Sequence, residues 1–120
     1  MRSLMAVLKA LGDENRVRIL AALEGRELCL CQIVELLGLA TSTVSKHMSV
    51  LEQARLADRR KEGRWTYYRL ADQDVPPAAA RATALVLRSL AKDPRIREDA
   101  RRLKQILRLD PEELCPKQSE

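Results

Sequence analysis

"TSTVSKHMSVLEQARLADRRKEGRWTYYRL" (Thr41–Leu70) holds two different periodicities in succession. In its first half Val44, Met48 and Leu51 recur at helical spacing, while Ser42, Ser45, Lys46 and Ser49 fall away from that stripe. In its second half residues 57–60 and 65–70 have strand chemistry, because Trp65, Thr66, Tyr67 and Tyr68 favour an extended chain. Gly63 lies between the two runs and can supply the positive φ that a short hairpin loop needs. The hairpin tip sets Arg59, Arg60, Lys61 and Arg64 against the single Glu62. A helix face of small hydroxyls and a lysine fits a DNA major groove and can donate to phosphates or base edges. A basic hairpin directly after it is a wing, placed to reach the backbone or minor groove.

Working outward, Leu30, Ile33 and Leu37 predict a helix that starts near Cys29 and stops at Gly38. Two short helices joined by a tight, glycine-containing turn form a helix-turn-helix. Before them, Leu4, Leu8 and Leu11 predict an amphipathic helix over 3–11, broken at Gly12-Asp13. Asp13 is the expected N-cap of a second helix through Leu23, with Val17, Leu20 and Ala21 on one face and Gly25 as its end. After the wing, a helix runs from Pro76-Pro77 to about Ala91, with Leu85, Val86 and Leu90 on its apolar side. Asp93-Pro94 interrupts it, and Ile96, Leu103, Ile106 and Leu107 mark a last helix. The expected fold is mostly α with a small β-hairpin, a winged helix-turn-helix. Residues 1–110 are expected to form the DNA-binding and dimerisation domain, and 111–120 a flexible C-terminal tail carrying Cys115.

The bulk numbers agree with one domain of this kind. A chain of 120 residues buries roughly two-thirds of its unfolded surface. It is 46% hydrophobic but only 2% aromatic, with no Phe, so its core is aliphatic and favours helices over a sandwich or barrel. The net charge of +5 and pI near 9.4 suit a polyanionic partner. The opening "MRSLMAVLKALGDENR" has no apolar signal region and no stretch is long enough to span a membrane, so a cytoplasmic location is expected. In that reducing compartment the three cysteines are expected to be thiols and not a disulfide framework.

The order helix, helix, helix-turn-helix, wing, helix resembles the ArsR family (ArsR/SmtB) of metal-responsive winged-helix repressors. "LGDENRVRIL" (Leu11–Leu20) is similar to that family's second-helix signature, and "STVSKHMSVLEQARLADRRKEGRWTYYRL" (Ser42–Leu70) to its recognition helix and wing. "ELCLC" (Glu27–Cys31) is similar to the cysteine motif of its arsenic- and cadmium-sensing members. The family often has serine at Ala40, glutamine at Thr41 and glycine at Arg55. An arginine held left-handed at position 55 would cost about 1 kcal/mol. The resemblance implies a homodimer joined through the N- and C-terminal helices. It implies binding to an inverted repeat in double-stranded operator DNA, and release of that DNA by As(III) or Sb(III). The DNA-contacting positions it implies are Thr41, Ser42, Thr43, Ser45, Lys46, His47, Arg59, Arg60, Lys61 and Arg64.

Cys29 and Cys31 are the candidate ligands of that inducer. Free cysteine often only fills core space. Two at the N-terminus of a helix meet exposed N–H groups and the helix dipole, which favour thiolate, and thiolate suits soft, thiophilic ions. Residues two apart in an intact helix point about 200° from each other. Both can grip one ion only if the first turn unwinds or the helix begins after Cys29. Family-level arsenic chemistry uses three thiolates, which makes Cys115 the candidate third ligand, from the same subunit or its partner. The same cysteines are an alternative site for Cd(II), Pb(II) or thiol oxidation. Residues 76–108 contain no histidine, so a zinc site on the last helices is disfavoured.

Catalysis is not expected. His47 is the only histidine, and without a second one a nucleophile–base pair is hard to build. A thiol enzyme acting on arsenate would need a Gly/Arg-rich anion loop, which "CLCQIVELLG" (Cys29–Gly38) does not supply. No catalytic cofactor follows. His47 has two readings, helix packing or DNA contact, as do Trp65, Tyr67 and Tyr68, of which at least one belongs to the wing core. The arginines from Arg88 to Arg108 are expected to form a solvated face with Asp93, Glu98 and Asp99. A winged-helix module that binds only protein is the reading from another class, and the basic wing counts against it.

Overall fold

The computed structural model describes residues 1–118, with side chains through Cys115. Its elements run α1 (Arg2–Leu11), α2 (Glu14–Ala22), β1 (Leu28–Cys29), α3 (Leu30–Leu37), α4 (Thr41–Gln53), β2 (Ala57–Glu62), β3 (Trp65–Leu70), α5 (Pro77–Ser89), α6 (Pro94–Ile106) and α7 (Pro111–Gln118). Local chemistry sets most boundaries. The Asp13 carboxylate accepts from the backbone N–H groups of Asn15 and Arg16 at 2.8 and 3.2 Å, and so caps α2. Asp93 does the same for α6 through Arg95 and Ile96, with Pro94 in the first turn. Gly38 closes α3 in the left-handed region at φ 68°, which turns the chain into α4.

The turn after α4 uses Arg55, not glycine, at φ 63°. The strain expected there is present, and Arg55 Nη2 donates to the Asp74 carbonyl at 3.1 Å. The α4 N-cap, Ala40, provides no side-chain cap.

The stripe Val44, Met48 and Leu51 is fully buried. It packs with Ile19, Leu20, Ile33, Leu37 and Leu56 into one aliphatic core, closed on the wing side by Tyr68. Each such side chain contributes roughly 1.5–3 kcal/mol by leaving water. Tyr68 is therefore the core aromatic, while Trp65 and Tyr67 are half-buried.

Three features depart from the sequence expectation. The wing is a three-stranded antiparallel sheet in the order β1-β3-β2, with Leu28 opposite Tyr68 and Cys29 opposite Tyr67. The C-terminal stretch expected to be loose is the helix α7, packed on α3 with Leu114 buried. Its last two positions, 119–120, lie outside the described residues. Asp99 is not on a solvated face. It is 7% exposed and accepts from Arg18 Nε and Nη2 at 2.8 and 3.0 Å, joining α6 to α2. That bond, helped by the Asp99 charge, outweighs the downward push of burial and shifts Arg18 upward. No helix among the described residues is long and apolar enough to cross a membrane.

Candidate metalloid site and nucleic-acid interface

Cys29 is the N-cap of α3 and is extended, at φ −80° and ψ 158°. The helix therefore begins after it, and the constraint on residues two apart does not apply. The Gln32 carboxamide accepts from the Cys29 N–H at 2.9 Å, and the Gln32 backbone N–H is directed back at the Cys29 sulfur. This reciprocal box fixes where the sulfur lies and gives it a donor. Cys31 stands in the first turn of α3, and α7 carries Cys115 across to it. The sulfurs of Cys29, Cys31 and Cys115 all lie within 4.8 Å of one another. Cys29 is buried, and Cys31 and Cys115 are half-buried.

In this structure Cys31 and Cys115 are joined as a disulfide, with Cα atoms 5.2 Å apart, while Cys29 is a free thiol. The expectation that all three are thiols is therefore corrected for this pair. Cys115 comes from the same chain, and α7 already orders it, so its approach needs no folding of a loose tail. The missed signal was "DPEEL" (Asp110–Leu114): Asp110 accepts from the Glu112 N–H at 2.9 Å, Pro111 opens the helix, and Leu114 anchors it.

On the outer side of α4, Ser42, Thr43 and Lys46 are exposed, and Thr41 and Ser45 are half-exposed. His47 differs. Its Nδ1 lies 3.2 Å from Arg16 Nη1, and Arg16 also donates to the Ala10 and Lys9 carbonyls at 2.7 and 3.0 Å. His47 thus has an internal partner that ties α4 to the end of α1.

In the wing, Arg59 donates to both Glu52 oxygens at 2.8 Å and sits over the Tyr68 ring. Arg60 donates to both Glu27 oxygens at 2.8 and 2.7 Å and lies 4.6 Å from the Tyr67 centroid. It also meets Glu62 at 3.1 Å. Arg64 stacks on Trp65, and Lys46 and Lys61 have no carboxylate partner among the described residues.

A family model described as "Bacterial regulatory protein, arsR family" matches residues 13–59. A cadmium resistance transcriptional regulatory protein CadC homolog of Staphylococcus aureus is 40% identical over 78 residues, 63% of this chain and 64% of that protein. The arsenical resistance operon repressor of Bacillus subtilis is 35% identical over 68 residues, 56% of this chain and 65% of that protein. This chain thus spans just under two thirds of the length of these two relatives. The solution structure of a homodimeric winged helix-turn-helix DNA-binding domain from Mycobacterium bovis, a possible ArsR-family regulator, has 31% identity and a TM-score of 0.63, covering 76% of this chain and 81% of that one. By family model, relatives and fold together, the chain belongs to the arsR family of bacterial regulatory proteins, a family of DNA-binding transcriptional regulators and not of enzymes.

Proposed function

We propose that this chain is a cytoplasmic, homodimeric repressor that binds an inverted-repeat operator and is released when As(III) or Sb(III) binds Cys29, Cys31 and Cys115. The observation that carries the reading is the convergence of three sulfurs within 4.8 Å, two at the start of α3 and one from α7. Three thiolates around a small, soft centre match trivalent arsenic. With arsenous acid the exchange balances: three S–As bonds form, three As–O bonds break, and each thiol proton leaves with a hydroxide as water. The Cys31–Cys115 bond must first be reduced by a cellular dithiol, which supplies two electrons and two protons.

The DNA side rests on the exposed Ser42, Thr43 and Lys46 of α4 and on the wing cations Lys61 and Arg64. The dimer reading rests on α1 and α5. They pack together, yet Leu4, Met5, Leu8 and Leu85 remain 48–65% exposed. Such a face calls for a second copy of the chain.

The test is arsenite titration of the reduced protein, following thiolate absorbance and operator binding together. The reading requires both signals to change over the same concentration range, with DNA affinity falling roughly 5- to 150-fold. Absorbance that rises with Cd(II) but not arsenite would instead assign the thiolates to cadmium.

A further inference from the structure

We infer that Glu27 is a positioning residue that withholds Arg60 of the wing from DNA phosphate, and that it ties occupancy of the cysteine site to DNA release; the second part rests on the proposed function. Glu27 lies two residues before Cys29, at the entrance to β1. Its carboxylate takes both forks of the Arg60 guanidinium at 2.7 and 2.8 Å, the bidentate geometry that a phosphate would otherwise occupy. Arg60 lies over the Tyr67 ring, and Tyr67 is the strand partner of Cys29. One short segment, 27–31, therefore carries the clamp on the wing arginine and two of the three sulfurs.

In this structure the Glu27–Arg60 clamp is closed while Cys31 is bonded to Cys115 and Cys29 is a free thiol, so DNA phosphate must displace Glu27 to reach Arg60. A ligand drawing Cys29, Cys31 and Cys115 together restrains β1 and keeps Glu27 against Arg60. Without it, β1 can give when DNA phosphate competes for Arg60, and Glu27 releases the guanidinium. The candidate competes with Glu62, which also meets Arg60 but stands on β2, away from the cysteine strand.

The experiment compares the reduced full chain with its E27Q, E62Q, R60Q and E27Q/R60Q variants. Binding to one operator duplex is measured across a salt series, with and without arsenite. E27Q and E62Q change net charge equally, so simple charge effects cancel between them. E27Q is expected to steepen the salt slope by about one unit relative to E62Q. It is also expected to reduce the arsenite-induced loss of affinity by roughly 2- to 30-fold, with thiolate absorbance unchanged. In the R60Q background the E27Q effect should vanish. Equal slopes and equal arsenite responses in E27Q and E62Q would overturn the inference, as would an E27Q effect that survives in R60Q. If arsenite gives no thiolate absorbance in the parent chain, the metalloid reading fails by itself. The salt slopes then still decide whether Glu27 withholds Arg60.

Discussion

Cys29 stands opposite Tyr67 in the antiparallel pairing of β1 with β3, so the buried cysteine of the candidate site belongs to the same sheet as the wing. The α3–α4 turn is thus not the only link between the cysteines and the α4–wing region. Ligand binding need not unwind α3 either, because its first turn already begins after Cys29.

Cys29→Ser and Cys31→Ser are each expected to bind operator as the parent does and to stay bound when arsenite is added. Cys115→Ser should weaken arsenite binding and give partial release, since two thiolates still hold the ion. Operator binding at graded arsenite distinguishes the three. Release of Cys29→Ser at the parent arsenite concentration would leave Cys29 as core packing.

Leu114→Ala should loosen α7 from α3. Leu114 is 7% exposed, and truncating such a side chain typically destabilises its contacts by about 2–5 kcal/mol. Arsenite affinity should fall because Cys115 is no longer held beside Cys31, while operator affinity without arsenite stays near the parent value. A variant with parent-like arsenite affinity would show that α7 packing does not position the third sulfur.

Asp99→Ala should be among the most destabilising single changes. It leaves the Arg18 guanidinium, 6% exposed, without its bidentate partner. Breaking a buried pair this way costs about 3–5 kcal/mol. Urea unfolding of the reduced protein measures it, and a loss under 1 kcal/mol would mean that water reaches the site.

Asp13 sets an acid limit on stability. Burial pushes its carboxyl up, but the N–H bonds from Arg16 and Asn15 and the nearby His47 and Arg16 charges outweigh that and hold it below the ordinary aspartate range. The folded value is thus lower than the unfolded one. The contribution is present above the unfolded value and is lost as pH falls through the folded value. Asp13→Ala should cost about 1 kcal/mol at neutral pH. The gap to the parent should close under strongly acidic conditions, as unfolding curves at several pH values would reveal.

Arg64→Ala should weaken binding to all DNA sequences alike and reduce the salt slope by about one unit. Ser42→Ala, by contrast, should change the preference among operators. Equal losses on specific and non-specific DNA would make Ser42 a residue that positions α4 without reading bases.

The sequence by itself determined the elements whose signals are local. The stripe Val44, Met48 and Leu51 specifies which face of α4 is buried, because helical period and burial are the same statement for consecutive turns. Asp13, Asp93 and Gly38 terminate helices through bonds and torsions within a few residues. Only the tertiary structure decided the rest. Leu28 and Cys29 are too short a run to show strand periodicity, and they are extended because the edge of β3 offers them a partner. Cys31 and Cys115 are 84 residues apart, and Arg18 and Asp99 are 81 apart. No spacing rule reaches across such distances. Their meeting depends on how α6 and α7 pack against α2 and α3, which is set by the shape of the whole aliphatic core.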